Sequence, residues 1–278
     1  MTRLATTFKH TSGLIRSAIP LTDDQIMRAT PSVFAESAHE SRSSRYTYIP
    51  TAEVLNGLKK EGFRPFMVAQ AVTRLEDRRE FARHMIRLRH ADQINSEVAN
   101  EIVLLNSHDG MSSYQMLAGC FRFVCQNGMV CGETIDDFRV RHSGNIIGNV
   151  IEGAFKVLDQ FEKIDESREI MRSIELKPAH QEAFARAALQ LRYNPEEEIQ
   201  PPIEPHQLNT ARRFDDRGSD LWRTFNRVQE NMIQGGIVGR NPITGRRTTT
   251  REVKSVSENV RLNRALWTLS EEMARLAA

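Results

Sequence analysis

Cysteine is scarce in this chain: there are three, Cys120, Cys125 and Cys131, an odd and clustered set. That arithmetic poorly suits a secreted disulfide framework. The intervals do not make a CxxC pair and no second cluster follows, so buried reduced thiols are expected rather than zinc ligands or redox groups. Long apolar runs are also missing. None approaches the roughly 18 residues of a spanning helix, and the opening MTRLATTFKHTSGLIRSAIP has no continuous apolar signal core. No membrane partner is expected, and the expected location is the cytoplasm.

Excess charge of one sign is absent as well, the formal net charge being +2, so the overall balance does not select nucleic acid or membrane. The usual chemical signatures are missing too. There is no HExxH, no GxGxxG after a strand, no GxxxxGK[ST] and no GxSxG. Gly235, Gly236 and Gly239 follow a helical pattern, and Ser143 has His142 only as a chain neighbour. No cofactor, metal or catalytic residue is therefore expected. His84, His90, His108 and His142, with Asp109, Glu133, Asp136 and Asp137, make a histidine and acid set on paper. But His84, His90 and His142 share a strand face with Ile86, Leu88 and Val140, which predicts hydrogen-bonded structural histidines.

What is present is enough hydrophobic sequence, 40% of 278 residues, for a substantial core in one large domain with an appendage or in two domains. Residues 1–45 read as an N-terminal arm with a short helix near Asp23 to Ala29. From Tyr46 a strand is expected, then a helix over 51–61 that Thr51 can cap and that buries Val54, Leu55 and Leu58. Three strands follow, in Phe66–Arg74, Arg83–His90 and Glu101–Asn106. The stretch His108 to Asn145 is the crowded centre of the chain. Ser112 can cap a helix with Tyr114, Leu117, Ala118, Phe121 and Cys125 on one face, ended by Asn127-Gly128, and Phe138–His142 then reads as another strand.

Downstream, one helix is expected from Asn145 to about Leu176 and a second from Pro178 to Tyr193. An acidic, Pro-rich linker occupies 194–217. Region 218–278 is helical, with a helix capped by Ser219, a basic loop at 239–251, and a final helix opened by the capping box Ser255 to Glu258. The expected fold is α+β: an antiparallel sheet with a β-β-β-α core packed on helices, and a helical C-terminal region. Its domains are the arm, a core over 46–193, the linker, and region 218–278.

Arginine distribution carries the functional signal. Between Arg64 and His90 there are seven arginines and three acids, and between Arg240 and Arg264 seven basic residues and two acids. Arg83, Arg87 and Arg89 alternate along one predicted strand, and Arg139 and Arg141 along another. Sharing a sheet, they would line one face; Arg240, Arg246, Arg247 and Arg251 add a basic loop. Guanidinium rows suit a phosphate backbone. The competing explanation is a solvated strand face with local ion pairs.

The blocks DGMSSYQMLAGCFRFVCQNGMV and FRVRHSGN, with the later DLWRTFNRVQENMIQGG, TGRRTTTREV and RLNRALWTLSEEMARL, resemble the phage- and plasmid-encoded family catalogued as domain of unknown function 932. That resemblance implies a mobile-element protein of the bacterial cytoplasm, with no enzymatic activity attached. The element order also resembles the β-β-β-α core of ring-forming single-strand annealing recombinases, an analogy of topology. The expected function is a non-catalytic protein that holds single-stranded DNA for recombination or annealing, with a homo-oligomer as one arrangement. Two alternatives stand beside it. One is a module that tunes a host system by binding a host protein through the helices of Trp222 and Trp267; the other is a metal-dependent nuclease.

Overall fold

The computed structural model describes residues 13–42, 48–73, 76–90, 98–110, 114–122, 127–131, 146–158, 161–193 and 200–277. Along them run β1 (Gly13–Arg16), α1 (Asp23–Ala29), α2 (Thr51–Lys60), β2 (Phe63–Gln70), β3 (His84–His90), β4 (Val98–Asn106), β5 (Gln115–Arg122) and β6 (Asn127–Val130). Then come α3 (Ile146–Leu158), α4 (Phe161–Ser173), α5 (Pro178–Arg192), α6 (Pro205–Leu208), α7 (Leu221–Gln234), β7 (Val238–Arg240), β8 (Arg247–Thr249) and α8 (Val256–Ala277). The first six strands form one sheet in chain order, and β7 and β8 form a separate two-stranded ribbon. This is the α+β arrangement of an antiparallel sheet with a helical C-terminal region.

The chain divides into two compact units. One comprises Met1–Ser96, Glu101–Leu117 and Asp136–Lys156, the other Glu97–Asn100, Ala118–Ile135 and Val157–Ala278. In the first, α1 begins with a reciprocal cap between Thr22 and Gln25 and carries Asp23 and Asp24 in its first turn. It buries Ile26. The segment expected as an arm thus supplies a helix and also a strand, since β1 pairs antiparallel with β2 from Gly13 opposite Gln70 to Arg16 opposite Met67. The helix α2 buries Val54, Leu55 and Leu58 as its spacing predicts. Thr51, however, does not cap it; Pro50 holds that position, and the threonine hydroxyl turns inward to other partners.

The strands β3 and β4 are buried on both faces, β4 along all nine residues. Alternation therefore does not separate a dry face from a wet one here. The helix expected over 112–126 is instead strand β5, paired with β6 through Gly119 opposite Val130 and Phe121 opposite Gly128. The cause is visible in the burial of Met116, Leu117, Ala118 and Cys120. A short apolar run buried on successive positions has no polar face, so its three- and four-residue spacing carries no helical information. Asn127 and Gly128, read as a helix stop, belong to β6. Cys120 and Cys131 are buried free thiols; Cys125 and the strand expected at 138–142 lie outside the described residues.

In the second unit Phe225 of α7 stacks on Trp222 at 5.7 Å and meets the edge of Trp267 of α8 at 5.8 Å. Most of α7 is buried, including its polar residues, and these are hydrogen-bonded. Asn231 donates to the carbonyls of Leu208 and Thr210, and Gln229 to Asn263. The cap of α7 is Asp220, which accepts from the Arg223 amide at 2.9 Å, rather than Ser219. The described part of the stretch expected as a linker contains α6 and a 3-10 turn at Phe214–Asp216, and it buries Ile203, Leu208 and Asp216. No helix among the described residues is long and apolar enough to cross a membrane.

Candidate nucleic-acid interface

Two of the strand arginines are sealed in the first unit. Arg87 and Arg89 on β3 are each 1% exposed and share Glu101 of β4, which is fully buried. The register explains the meeting: Arg87 pairs with Val103 and Leu88 with Ile102, so the next step brings Arg89 opposite Glu101. Arg87 Nη1 donates to Glu101 Oε2 at 2.9 Å and Arg89 Nε to Oε1 at 2.8 Å, so each carboxylate oxygen holds one guanidinium. The Arg89 guanidinium also lies over the Phe66 ring, 4.3 Å from its centre. Burial pulls the Arg89 pKa down from its ordinary value, against the opposing pull of Glu101. These two arginines hold the sheet's interior together instead of facing solvent. Arg83, half-buried, precedes β3, and Arg139 and Arg141 lie outside the described residues.

A second buried assembly surrounds His84. Its Nδ1 lies 3.1 Å from the Ala82 carbonyl and 3.0 Å from the Ser32 hydroxyl, while its Nε2 lies 3.0 Å from the Thr51 hydroxyl. Ser32 donates to Gln70 Oε1 at 2.8 Å, and Asn106 donates to Thr51 at 2.9 Å. The Thr51 hydroxyl is also 3.4 Å from His108 Nε2. One proton assignment satisfies the chain: His84 donates from Nδ1 and accepts at Nε2 from Thr51, which accepts from Asn106 and His108. Burial, with His108 adding to it, lowers the His84 pKa to about 3, and burial lowers that of His108 to about 4. Ser32, Thr51, His84 and His108 all have no exposure, so this serine and histidine arrangement presents no face to a substrate. It acts as the polar packing expected of His84. His90 lies edge-on to Phe63 at 5.2 Å, and His142 is outside the described residues. Among the described residues no three of His, Cys, Asp and Glu gather as metal donors.

The remaining predicted arginines come together on the ribbon of the second unit. The basic stretch expected as a loop is a hairpin in which Arg240 pairs in register with Arg247, and Val238 with Thr249. The Arg240 and Arg247 side chains share its outward face, and Arg246 and Arg251 are exposed beside them. None of the four forms an ion pair with a described residue. The other face rests on residues 202–203. Arg240 donates its amide to the Pro202 carbonyl at 2.8 Å, and a Cβ on Gly239 would stand 1.9 Å from that oxygen, so only glycine allows the approach. Gln207 donates to the Val238 carbonyl at 2.9 Å.

The tip is fixed by one side chain. Asn241 Oδ1 accepts from the amides of Ile243 at 2.9 Å and Thr244 at 2.8 Å, while the Asn241 carbonyl accepts from Gly245 at 2.8 Å. Gly245 adopts φ 65°, which its lack of a side chain permits. Pro242 and Ile243 are thereby held outward, Ile243 at 92% exposure. Asn-Pro is a turn signal, Gly245 permits the turn, and the threonines from Thr248 to Thr250 are strand-formers, so the residue types carry a hairpin signal that reading 239–251 as a loop missed. Glu101, by contrast, has no local mark that it would sit between two arginines. In the two helices expected as a partner surface, Trp222 and Trp267 themselves are buried in the α7 and α8 core.

Comparison with known proteins gives relatives but no described activity. A family model described as a domain of unknown function, DUF932, matches residues 38–267. The chain is 50% identical over 273 residues to the UPF0380 protein YfjQ of Escherichia coli (strain K12), covering 98% of each chain. It is 49% identical over 273 residues to the UPF0380 protein YafZ of the same organism, again covering 98% of each. No solved structure matches the chain.

Proposed function

We propose, from the premise that the chain belongs to the DUF932 family, that this protein binds DNA through the sugar-phosphate backbone, with the ribbon of β7 and β8 as its contact. One observation carries the reading: Arg240 and Arg247 stand directly across the ribbon on its outward face, flanked by Arg246 and Arg251, with no ion-paired acid among the described residues. Like charges placed opposite each other on a sheet cost stability. A polyanion relieves that cost, and each guanidinium then displaces a condensed counterion. The expected holding of a single strand along the sheet is left without two of its contacts, because Arg87 and Arg89 are spent on Glu101. A role in recombination or annealing, a phage or plasmid source and a cytoplasmic location belong to the same proposal, supported by the resemblance of the sequence blocks.

Fluorescence anisotropy with a short labelled oligonucleotide across a salt series tests it. Affinity should fall linearly on logarithmic axes, and replacing Arg240, Arg246, Arg247 and Arg251 by alanine should reduce the slope by about one per arginine. Equal affinity and slope in the two proteins would contradict the proposal.

A further inference from the structure

The hairpin tip is built from different chemistry than its stem, and the difference selects the form of DNA. The stem offers guanidinium groups, whereas the tip offers Pro242 and Ile243, held out by the two bonds to Asn241. Ile243 has no group that can bind a phosphate and, at 92% exposure, gives nearly all its apolar surface to water. Residues 238–251 contain no aromatic ring, so the ribbon lacks the stacking platforms by which proteins hold single-strand bases. An aliphatic wedge on a rigid tip has a different complement. It fits the face of a base pair uncovered when a duplex step unstacks, and Pro and Ile are among the side chains used in that way.

We infer that the tip inserts Ile243, braced by Pro242, between adjacent base pairs from the minor groove of duplex DNA, while Arg240, Arg246 and Arg247 hold the flanking backbone. The inference rests on the DNA-binding reading and sharpens it to a bent duplex. The rigid tip matters energetically, because unstacking a step is costly and a tip already fixed by Asn241 loses little further freedom on insertion. Flexible pyrimidine-purine steps, which unstack most easily, are the preferred sites.

The test uses the full chain and a short duplex with a central TA step, carrying a donor and an acceptor dye at its ends. Saturation with the protein should bring the ends together and raise energy transfer. Ile243→Ala, at a site too exposed to affect folding, should abolish most of that rise and weaken duplex binding by about tenfold, since the unstacked step loses the apolar surface that covers it. The salt slope should stay unchanged, because no phosphate contact is removed. Binding without any rise in transfer, or a rise and affinity untouched by Ile243→Ala, would overturn the insertion and leave the arginine contact standing. No salt-dependent binding by the unaltered protein would overturn both.

Discussion

Glu101 is the residue on which the first unit's interior charge depends. Its two oxygens each hold an arginine that is almost wholly buried, so neutralising it strands both guanidinium groups away from water. Glu101→Gln should therefore lower unfolding stability by about 3–5 kcal/mol, read from urea denaturation. Replacing Arg87, Arg89 and Glu101 together by apolar residues of similar volume should cost far less, because no uncompensated charge remains. The histidines give a second prediction. Burial holds His84 and His108 neutral with pKa values of about 3 and about 4, below the ordinary 6.5, so the unfolded chain takes up their protons first as pH falls. Their contribution is complete above pH 6.5 and is lost as pH falls from there to about 4 for His108 and about 3 for His84, at about 1.4 kcal/mol per pH unit for each histidine. Urea midpoints measured at several pH values check the sign: they should fall with acidification across that window.

At the scale of elements, the ribbon and the α7 and α8 pair behave differently. The ribbon has a local frame, so removing Asn241 should loosen the tip alone. In Asn241→Ala the amides of Ile243 and Thr244 should lose their hydrogen-exchange protection while the global unfolding midpoint hardly changes. The helices α7 and α8 meet through large side chains, and Trp267→Ala should cost about 3–5 kcal/mol by opening a cavity beside Phe225. Legibility in the sequence follows the same division. The helix α1 was readable because Thr22, Asp23, Asp24 and Arg28 mark both its ends, and α2 and α8 because each has one apolar stripe. The strand β5 was not, because burial on successive positions erases the contrast that periodicity needs. In the candidate site, the ribbon arginines and the tip's turn signals were present in the residue types. The loss of Arg87 and Arg89 to Glu101 was not, since it depends on strand register across a chain separation that local spacing does not encode.

For the whole molecule, net charge is a poor guide and charge placement a good one. A formal balance of +2 conceals four exposed arginines on and beside one short ribbon, and two more sealed inside a sheet where they share one glutamate. Both sets are arginine, and only burial and partners tell structural from available charge. The family match runs over residues 38–267, so strands β2 to β6, helices α2 to α7, most of α8 and the ribbon fall within the shared domain, while β1 and α1 precede it. The most direct measurement is the salt dependence of duplex DNA binding, comparing the protein with a variant carrying alanine at Arg240, Arg246, Arg247 and Arg251. The predicted result is strong binding at low salt whose logarithmic slope drops by about one for each arginine removed. A variant that binds as tightly, with the same slope, would contradict the account.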